Sequence, residues 1–368
     1  TGLTAQAIGS GDKPETSALL VRGVIIGFTA GLILIIAQVP IFLGALQLSP
    51  ASMEVESLAQ KYLQIRVYSA PAAIALFGIN GWLIAKEKTR AVLLLQLALN
   101  GINIALDLVF VLKLGWGVEG VAIATLIAEW SGLIFGLWLA REGFNNGYWR
   151  NWVQIFDRAR LLQMAKINSD IMIRSILLEI GFVSFLFLGS SFDDATLAAN
   201  QVLIQFLHIT AYALDGFAFA AEALVGQALG AKNRPLFRRA VVMTSQWGLG
   251  SVILMALAFF VFGNSIINVM TTAEDVRVVS YEYLPWMVAA PLAGVAAWML
   301  DGIFIGATRM AVMRNMMFIS FCIYLIALAI LLPSYGNHGL WASLIIFSIA
   351  RGVTLGFKYP ALEKSSEN

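Results

Sequence analysis

Long apolar stretches alternate with short polar connections along the whole chain. Each apolar stretch holds roughly 20 residues, which is enough to cross a hydrocarbon core about 30 Å thick. Gly, Ala and Ser are frequent inside the stretches, as expected where helix backbones pack closely in lipid. The pattern predicts an all-α polytopic membrane protein with ten spans in this chain, at about 23–45, 67–85, 91–112, 118–139, 168–189, 198–225, 240–262, 284–306, 315–332 and 340–357.

Composition excludes several classes of protein. Of the 368 residues, 59% are hydrophobic and only 12% are charged, whereas soluble domains average about 45–50% apolar and about 25% charged residues. The net charge is +2 and no basic cluster is interleaved with aromatic residues, which argues against nucleic-acid binding. Neither a P-loop nor a His-Glu-x-x-His motif is present, so nothing indicates ATP hydrolysis or proteolysis. We therefore expect neither an enzyme nor a protein with a cofactor.

Basic residues predict the orientation of the chain. Six connections on one side hold 20 of the 24 Lys and Arg residues. These connections lie near 1–22, 85–90, 141–174, 227–239, 307–314 and 351–368. The opposite connections hold only Lys61, Arg66, Lys113 and Arg277. Because positive residues mark the cytoplasmic side, we expect a multi-pass protein in the lipid of the bacterial inner membrane, with a cytoplasmic C-terminus.

Two pairs of short segments recur at one offset. Ala5-Gln6-Ala7-Ile8-Gly9 echoes Gly226-Gln227-Ala228-Leu229-Gly230, and Asn80-Gly81 echoes Asp301-Gly302. Both pairs are 221 positions apart, which indicates an internal duplication. The register places the start of the first half roughly 60 residues before Thr1. We therefore expect the first helix and most of the second to be absent from this chain.

The duplication predicts a parent of twelve helices in two six-helix lobes, related by a pseudo-two-fold axis along the membrane normal. Residues 1–140 are assigned to a truncated N-terminal lobe, 141–167 to a cytoplasmic linker and 168–368 to the C-terminal lobe with a short tail. The second half of the linker either lies in the headgroup region as an amphipathic helix or is a solvated connection. Two such lobes facing each other across a cavity are typical of a transporter.

Six carboxylates fall at membrane depth. A charge near the bilayer centre costs about 2.5–3.5 kcal/mol on insertion scales, so each acid faces a cavity, has a partner or is protonated. Few basic residues lie deep enough to neutralise them, and a buried carboxyl group without a cation favours its neutral form. This is the chemistry that proton coupling requires. The six acids are Asp107, Glu129, Glu179, Asp215, Glu222 and Asp301.

The most specific group of polar residues within the spans consists of Asn103, Asp107 and Thr125. Asn103 and Asp107 are four residues apart and share one helix face. Asp107 lies roughly 7–8 Å from the outer end of its span, and Thr125 lies roughly 10 Å deep in the next. Adjacent helices could present carboxylate, amide and hydroxyl oxygens together, which suits a proton or Na⁺, and Glu129 would extend the polar track. A buried hydrogen-bond network that only fastens the helices is an equal alternative.

A second group suits a hydrophobic cation. Asp215 and Glu222 are seven residues apart on one helical stripe, and Tyr212 and Phe219 flank Asp215. Acids beside aromatic rings attract an amphipathic cation through charge and cation–π interactions. Alternatively, one of the two acids is held by a Gln or Thr of a neighbouring helix.

Short motifs spread over nearly the whole chain carry a family resemblance. They are 5–9 with Asp12, 103–107, 117–120, 122–125, 211–217 with Glu222, 300–302 and 305–308. The sequence resembles the multidrug and toxic compound extrusion (MATE) family, in its DinF-type branch. The resemblance implies twelve helices in two lobes and cation-driven antiport of organic, often cationic compounds.

The resemblance also implies site residues. In that family, an N-lobe cation site uses an Asn and an Asp of the fifth helix and a Thr of the sixth, which match Asn103, Asp107 and Thr125. The family's Asp on the first helix has no counterpart in this chain. Some members place a C-lobe cation site where Glu179 and Asp301 fall. DinF-type members are mainly proton-coupled, so the resemblance favours protons over Na⁺.

The sequence therefore predicts a secondary antiporter that exports small amphipathic organic compounds in exchange for protons or Na⁺ by alternating access, and we expect a monomer. Two alternatives stay open. One is a lipid-linked saccharide flippase of the same superfamily, for which a more cationic cavity is expected. The other is a non-transporting membrane scaffold derived from a transporter.

Overall fold

The computed structural model describes residues 1–47, 53–145 and 147–367, and every regular element among them is helical. Contacts divide the chain into two units. The first comprises Thr1 and Gly11–Asp157, and the second comprises Gly2–Ser10 and the chain from Arg158 onward. The helices are α1 (Gly2–Gly9), α2 (Lys13–Ile36), α3 (Gln38–Gln47), α4 (Met53–Arg66), α5 (Ala70–Ala85), α6 (Thr89–Asp107), α7 (Gly117–Leu139), α8 (Trp152–Ile155), α9 (Arg158–Gly189), α10 (Asp194–Gly230), α11 (Arg234–Met270), α12 (Glu274–Gly306), α13 (Met310–Gly356) and α14 (Tyr359–Lys364).

Within the described ranges, nine helical stretches are long and apolar enough to cross a membrane. The last of them runs over Met310–Glu367 and is interrupted inside α13 at Gly336, whose φ is 54° and ψ is −131°. Glycine adopts a positive φ without the steric penalty of a side chain. This break separates the two final spans predicted at 315–332 and 340–357, so ten apolar spans correspond to nine helical stretches.

Several helices extend beyond the apolar stretches that predicted them. Helix α9 begins at Arg158, ahead of the predicted start at 168. Helix α4 (Met53–Arg66) lies ahead of the predicted start at 67. It leads into α5 through the 3₁₀ turn Val67–Ser69. Hydropathy marks only the part of a helix that crosses lipid, so polar helix ends stay outside the predicted spans.

The core of the first unit depends on the close approach of α2 and α5. Gly23, Gly27 and Gly31 recur every fourth residue on the side of α2 that faces α5. A Cβ atom added at Gly27 would lie 2.7 Å from the Cα atom of Ala75. Stripes of small residues allow helix backbones to pack tightly in lipid, where no hydrophobic force drives helices together.

Buried Arg22 fastens the connection after α7 to helix α2. Its Nε donates to the carbonyl oxygen of Ile155 (2.8 Å), one Nη donates to that of Gln154 (2.6 Å), and the other pairs with Glu15 (2.6 Å). The single turn of α8 is thereby docked with Ile155 fully buried and Trp152 exposed. The linker predicted at 141–167 thus contains the docked turn α8 and the first part of α9, which begins at Arg158.

We expect Arg22→Met to lower the free energy of unfolding by about 2–5 kcal/mol, because two buried carbonyl groups lose a charged donor. Thermal unfolding in detergent measures the change. Arg150→Met is the matched control, since Arg150 is an exposed side chain of the same connection that lies over the ring of Trp149 (4.7 Å). Equal losses in the two variants would contradict the role assigned to Arg22.

Glu142 links the end of α5 to the turn after α7. Its carboxylate pairs with Lys86 and with Lys88 (2.7 Å). Burial alone would raise the pKa of Glu142, but the hydrogen bonds and charges of the two lysines outweigh burial and lower the pKa below its ordinary value. Because a lowered pKa keeps the carboxylate ionised as acid is added, this link persists at neutral pH and is lost only below the ordinary carboxyl range.

The repeat-related segments contact each other reciprocally within the second unit. A Cβ atom added at Gly9 of α1 would lie 2.7 Å from the carbonyl carbon of Gln227, and one added at Gly230 of α10 would lie 2.7 Å from that of Gln6. The repeat offset of 221 positions exchanges these two contacts. Reciprocal contacts are a property of a two-fold interface. The sequence assigns α1 to the N-terminal lobe 1–140. In the structure, α1 packs within the second unit instead.

Candidate functional site

The structure brings Asn103 of α6 and Thr125 of α7 together. Asn103 Nδ2 donates to Thr125 Oγ1 (3.1 Å), and Thr125 Oγ1 donates to the carbonyl oxygen of Val121 (2.9 Å). The Thr125 hydroxyl therefore donates a hydrogen bond within α7 and accepts one from the Asn103 amide of α6. This contact holds the two helices in register beside Asp107, one turn further along α6.

Asp107 is the last residue of α6, and its surroundings are unusual for an acid. Its Oδ1 atom is buried and has no hydrogen-bond partner in the described part of the chain. A buried carboxylate oxygen without a donor costs free energy.

The helix widens immediately after Asp107. Leu108–Lys113 form a π-helical turn, in which the N–H of Leu114 donates to the carbonyl oxygen of Val109 (2.9 Å). The chain then turns at Gly115 and Gly117, which have φ values of 70° and 55°. Single π-helical turns are rare and often occur at functional sites. The apolar residues of this turn carry no sequence signal for it, although the two glycines after it mark the end of the helix.

Glu129 is one of the deep acids that have a partner, although few basic residues were expected at this depth. Its two carboxylate oxygens accept from both terminal nitrogens of Arg66 (2.9 and 3.1 Å), and Arg66 also donates to Ser69 Oγ (2.6 Å). Arg66, counted with an outer connection, reaches α7 from the end of α4. A bidentate pair of this kind is strong and geometrically specific, so it fixes the Glu129 side chain against Arg66.

We expect Arg66→Met to destabilise the protein by about 2–3 kcal/mol, below the range of about 3–5 kcal/mol for a fully buried pair, because the Arg66 side chain is 26% exposed. The double variant Arg66→Met with Glu129→Gln should recover most of the loss, since no charge is then left alone. Thermal unfolding of the three proteins gives the coupling between the two residues. A double variant no more stable than Arg66→Met would contradict coupling between Arg66 and Glu129.

Asp301 of α12 also has fixed counter-charges. Its Oδ2 accepts from Arg174 of α9 and from Arg351 of α13 (2.6 Å). Few basic residues were expected to reach the deep acids, but both arginines, counted at the edges of cytoplasmic connections, lie within helices and reach α12. Glu179, predicted to share a cation site with Asp301, is an exposed residue of α9. Among the described residues, Asp301 forms ion pairs with Arg174 and Arg351.

Tyr212, Asp215 and Phe219 share an open face of α10. Tyr212 is 74% exposed, Phe219 is 42% exposed and Asp215 is half-buried between them. Glu222 is not part of this face, because it is buried where α12 packs against α10 at Gly306. The predicted substrate-binding group therefore keeps one acid and two aromatic rings, and Glu222 belongs to the helix contact.

Apolar helices, an internal repeat and acids inside the membrane-spanning helices define the architecture of a membrane transporter. The MatE family model matches residues 1–109 and 171–331. DNA damage-inducible protein F of Escherichia coli is 36% identical over 360 residues, which are 96% of this chain and 77% of that protein. The chain therefore belongs to the MATE family, whose members are membrane transporters rather than enzymes. The predicted family is confirmed.

A more distant relative and a solved structure are also similar to this chain. A probable multidrug resistance protein NorM of Bacillus cereus is 23% identical over 366 residues, which cover 94% of this chain and 78% of that protein. A crystal structure of the Vibrio cholerae MATE transporter VcmN superposes with a TM-score of 0.85 at 23% identity, over 99% of this chain and 83% of that one. At this identity the structural likeness concerns the fold alone, and it confirms the predicted all-α membrane fold.

Proposed function

We propose that this protein is a secondary antiporter that exports amphipathic, often cationic organic compounds in exchange for protons. The observation that carries the proposal is the buried Oδ1 of Asp107, which has no donor among the described residues and lies one turn from the Asn103–Thr125 hydrogen bond. Glu129 and Asp301 are instead paired with arginines. Coupling is therefore assigned to Asp107, with Asn103 and Thr125 as positioning residues.

The proposed cycle follows from the two charge states of Asp107. A proton from the outer side neutralises the carboxylate and turns an acceptor into a donor, at the point where α6 passes into the π-helical turn. The neutral form favours the conformation that releases the compound outside, and loss of the proton to the cytoplasm restores the compound's binding. Coupling of this kind requires that the proton and the compound each bind the two conformations with different affinities.

Na⁺ is the second candidate for the coupling ion. Carboxylate and amide oxygens are hard donors that suit hard cations, and Asn103, Asp107 and Thr125 supply such oxygens. The resemblance to the DinF-type branch favours protons over Na⁺. Protons therefore remain the first assignment.

The substrate class is proposed from the open face of α10. A cationic ring system can approach Asp215 while it packs on Tyr212 and Phe219, which combines charge with cation–π attraction. Relatives named multidrug resistance protein and DETOXIFICATION support a range of organic compounds. We place the protein in the bacterial inner membrane as a monomer with its C-terminus in the cytoplasm.

Transport by inverted membrane vesicles that contain the protein tests this function. Uptake of ethidium, a fluorescent organic cation, is followed while the pH gradient and the Na⁺ gradient are imposed separately. We expect uptake with the pH gradient alone and none with the Na⁺ gradient alone. Uptake that needs only Na⁺ would replace the coupling ion. Absence of uptake under both gradients would favour the non-transporting scaffold.

A further inference from the structure

The charges of the Arg174–Asp301–Arg351 cluster do not balance. Two guanidinium groups face one carboxylate, and both donate to the same oxygen, Oδ2. The cluster thus has one net positive charge, and its side chains are only 6–12% exposed.

Both arginines also retain a donor that the cluster does not use. The Nε atoms of Arg174 and Arg351 are buried without an acceptor in the described ranges, and Asp301 Oδ1 is buried without a donor. An unsatisfied buried donor costs free energy, and the cost is larger in a charged group. Buried charges are otherwise paired or bound to an ion. Two free N–H groups beside an unbalanced positive charge form a recognition pattern for an anion.

We propose that Arg174 and Arg351 bind the oxyanionic group, a phosphate or a carboxylate, of an amphipathic molecule, while Asp301 holds the two guanidinium groups in place. The planar guanidinium matches the geometry of both oxyanions. A hydroxyl on the bound group, as in a singly ionised phosphate monoester, would donate to Asp301 Oδ1. This site has the opposite polarity to the cation site predicted at Asp301 from the sequence.

The surroundings favour an amphipathic molecule over a free ion. All three residues lie in helices that are apolar and long enough to cross a membrane, and the Arg351 guanidinium lies over the ring of Phe347 (5.8 Å to its centroid). Arg174 is the most accessible of the three at 12% exposed, so the cluster is not sealed. The inference concerns binding and does not depend on proton coupling by Asp107.

Binding of radiolabelled monododecyl phosphate to the protein in phosphatidylcholine nanodiscs tests the site. We expect saturable binding at neutral pH that weakens at least tenfold in Arg351→Gln and in Arg174→Gln. Asp301→Asn removes the negative charge but keeps an oxygen that can accept from both guanidinium groups and hold them in place, so it should bind at least threefold more tightly. Dodecyltrimethylammonium, a cation with the same chain length, should not compete.

Arg314→Gln is the matched control. Arg314 pairs with Asp170 (2.5 Å) between α13 and α9, so that pair is balanced, and its loss should leave the affinity unchanged. Size-exclusion elution and helical circular dichroism show which variants are folded. Competition by inorganic phosphate would show that a free phosphate group is enough for binding. Competition by phosphatidic acid in the nanodisc would show that the ligand is a membrane lipid. Equal affinity in the wild type and the folded arginine variants, or no gain in folded Asp301→Asn, would overturn the proposal.

Discussion

Asp107→Asn is expected to reduce proton-driven efflux to the background of vesicles without the protein. Asparagine has nearly the size of the neutral acid but cannot exchange a proton, so the site is fixed in one charge state. The folded protein should keep its stability within about 1 kcal/mol or gain some, because the variant removes a buried carboxylate oxygen that has no donor. Ethidium efflux and thermal unfolding measure the two quantities.

A proton-release measurement separates loss of coupling from loss of binding. Ethidium added to purified wild-type protein in weak buffer should change the pH, whereas Asp107→Asn should bind without a pH change. Glu119→Gln is the matched control, since Glu119 is an acid of α7 that is 50% exposed and lies 3.4 Å from Lys61. The control should transport and release protons normally. Wild-type efflux by Asp107→Asn would remove the proposed coupling site.

The contact between Asn103 and Thr125 could be predicted from the sequence because it depends on two regular quantities. Helical spacing places Asn103 and Asp107 on one face, and the rise per residue places Thr125 at a matching depth in the next span. The π-helical turn after Asp107 was not predictable in this way. It changes the hydrogen-bond spacing within an apolar stretch whose composition also suits an ordinary α-helix.

The arginine partners of Glu129 and Asp301 could not be predicted, because they come from helices far away in the sequence. Arg66, Arg174 and Arg351 lie near the ends of apolar stretches, where a count of basic residues assigns them to connections. Their long side chains reach back into the helical core, and which acid they meet depends on helix packing. Hydropathy contains no information on that packing, so few basic residues were expected to reach the acids.

The apolar pattern predicted the spans, and the repeat predicted a two-fold relation, but neither predicted which helices touch. Gly9 and Gly230 matched as sequence letters at one offset. The structure adds that the two copies of this segment pack on each other, so each glycine is needed for the same contact. The sequence repeat therefore corresponds to an interface that substitutions at the two glycines can test.

Gly230→Ala is expected to destabilise the second unit by about 1–3 kcal/mol or more, as overpacking does, because the added Cβ would lie 2.7 Å from the carbonyl carbon of Gln6. Backbone atoms cannot turn aside as a flexible side chain can, so α1 and α10 must separate. Gly216→Ala is the matched control on α10, since its Cβ has nothing within 4 Å. The control should be neutral or more stable by about 0.5–1 kcal/mol, as alanine is favoured over glycine within helices. Thermal unfolding compares the two.

Gly9→Ala should have an effect close to that of Gly230→Ala, because the repeat exchanges the two contacts and an added Cβ at Gly9 would lie 2.7 Å from the carbonyl carbon of Gln227. The double variant should lose less stability than the sum of the single variants, since helices already separated by one alanine accommodate the second. Full additivity, or a large loss in only one single variant, would mean that the two glycines act in separate contacts rather than in one two-fold interface.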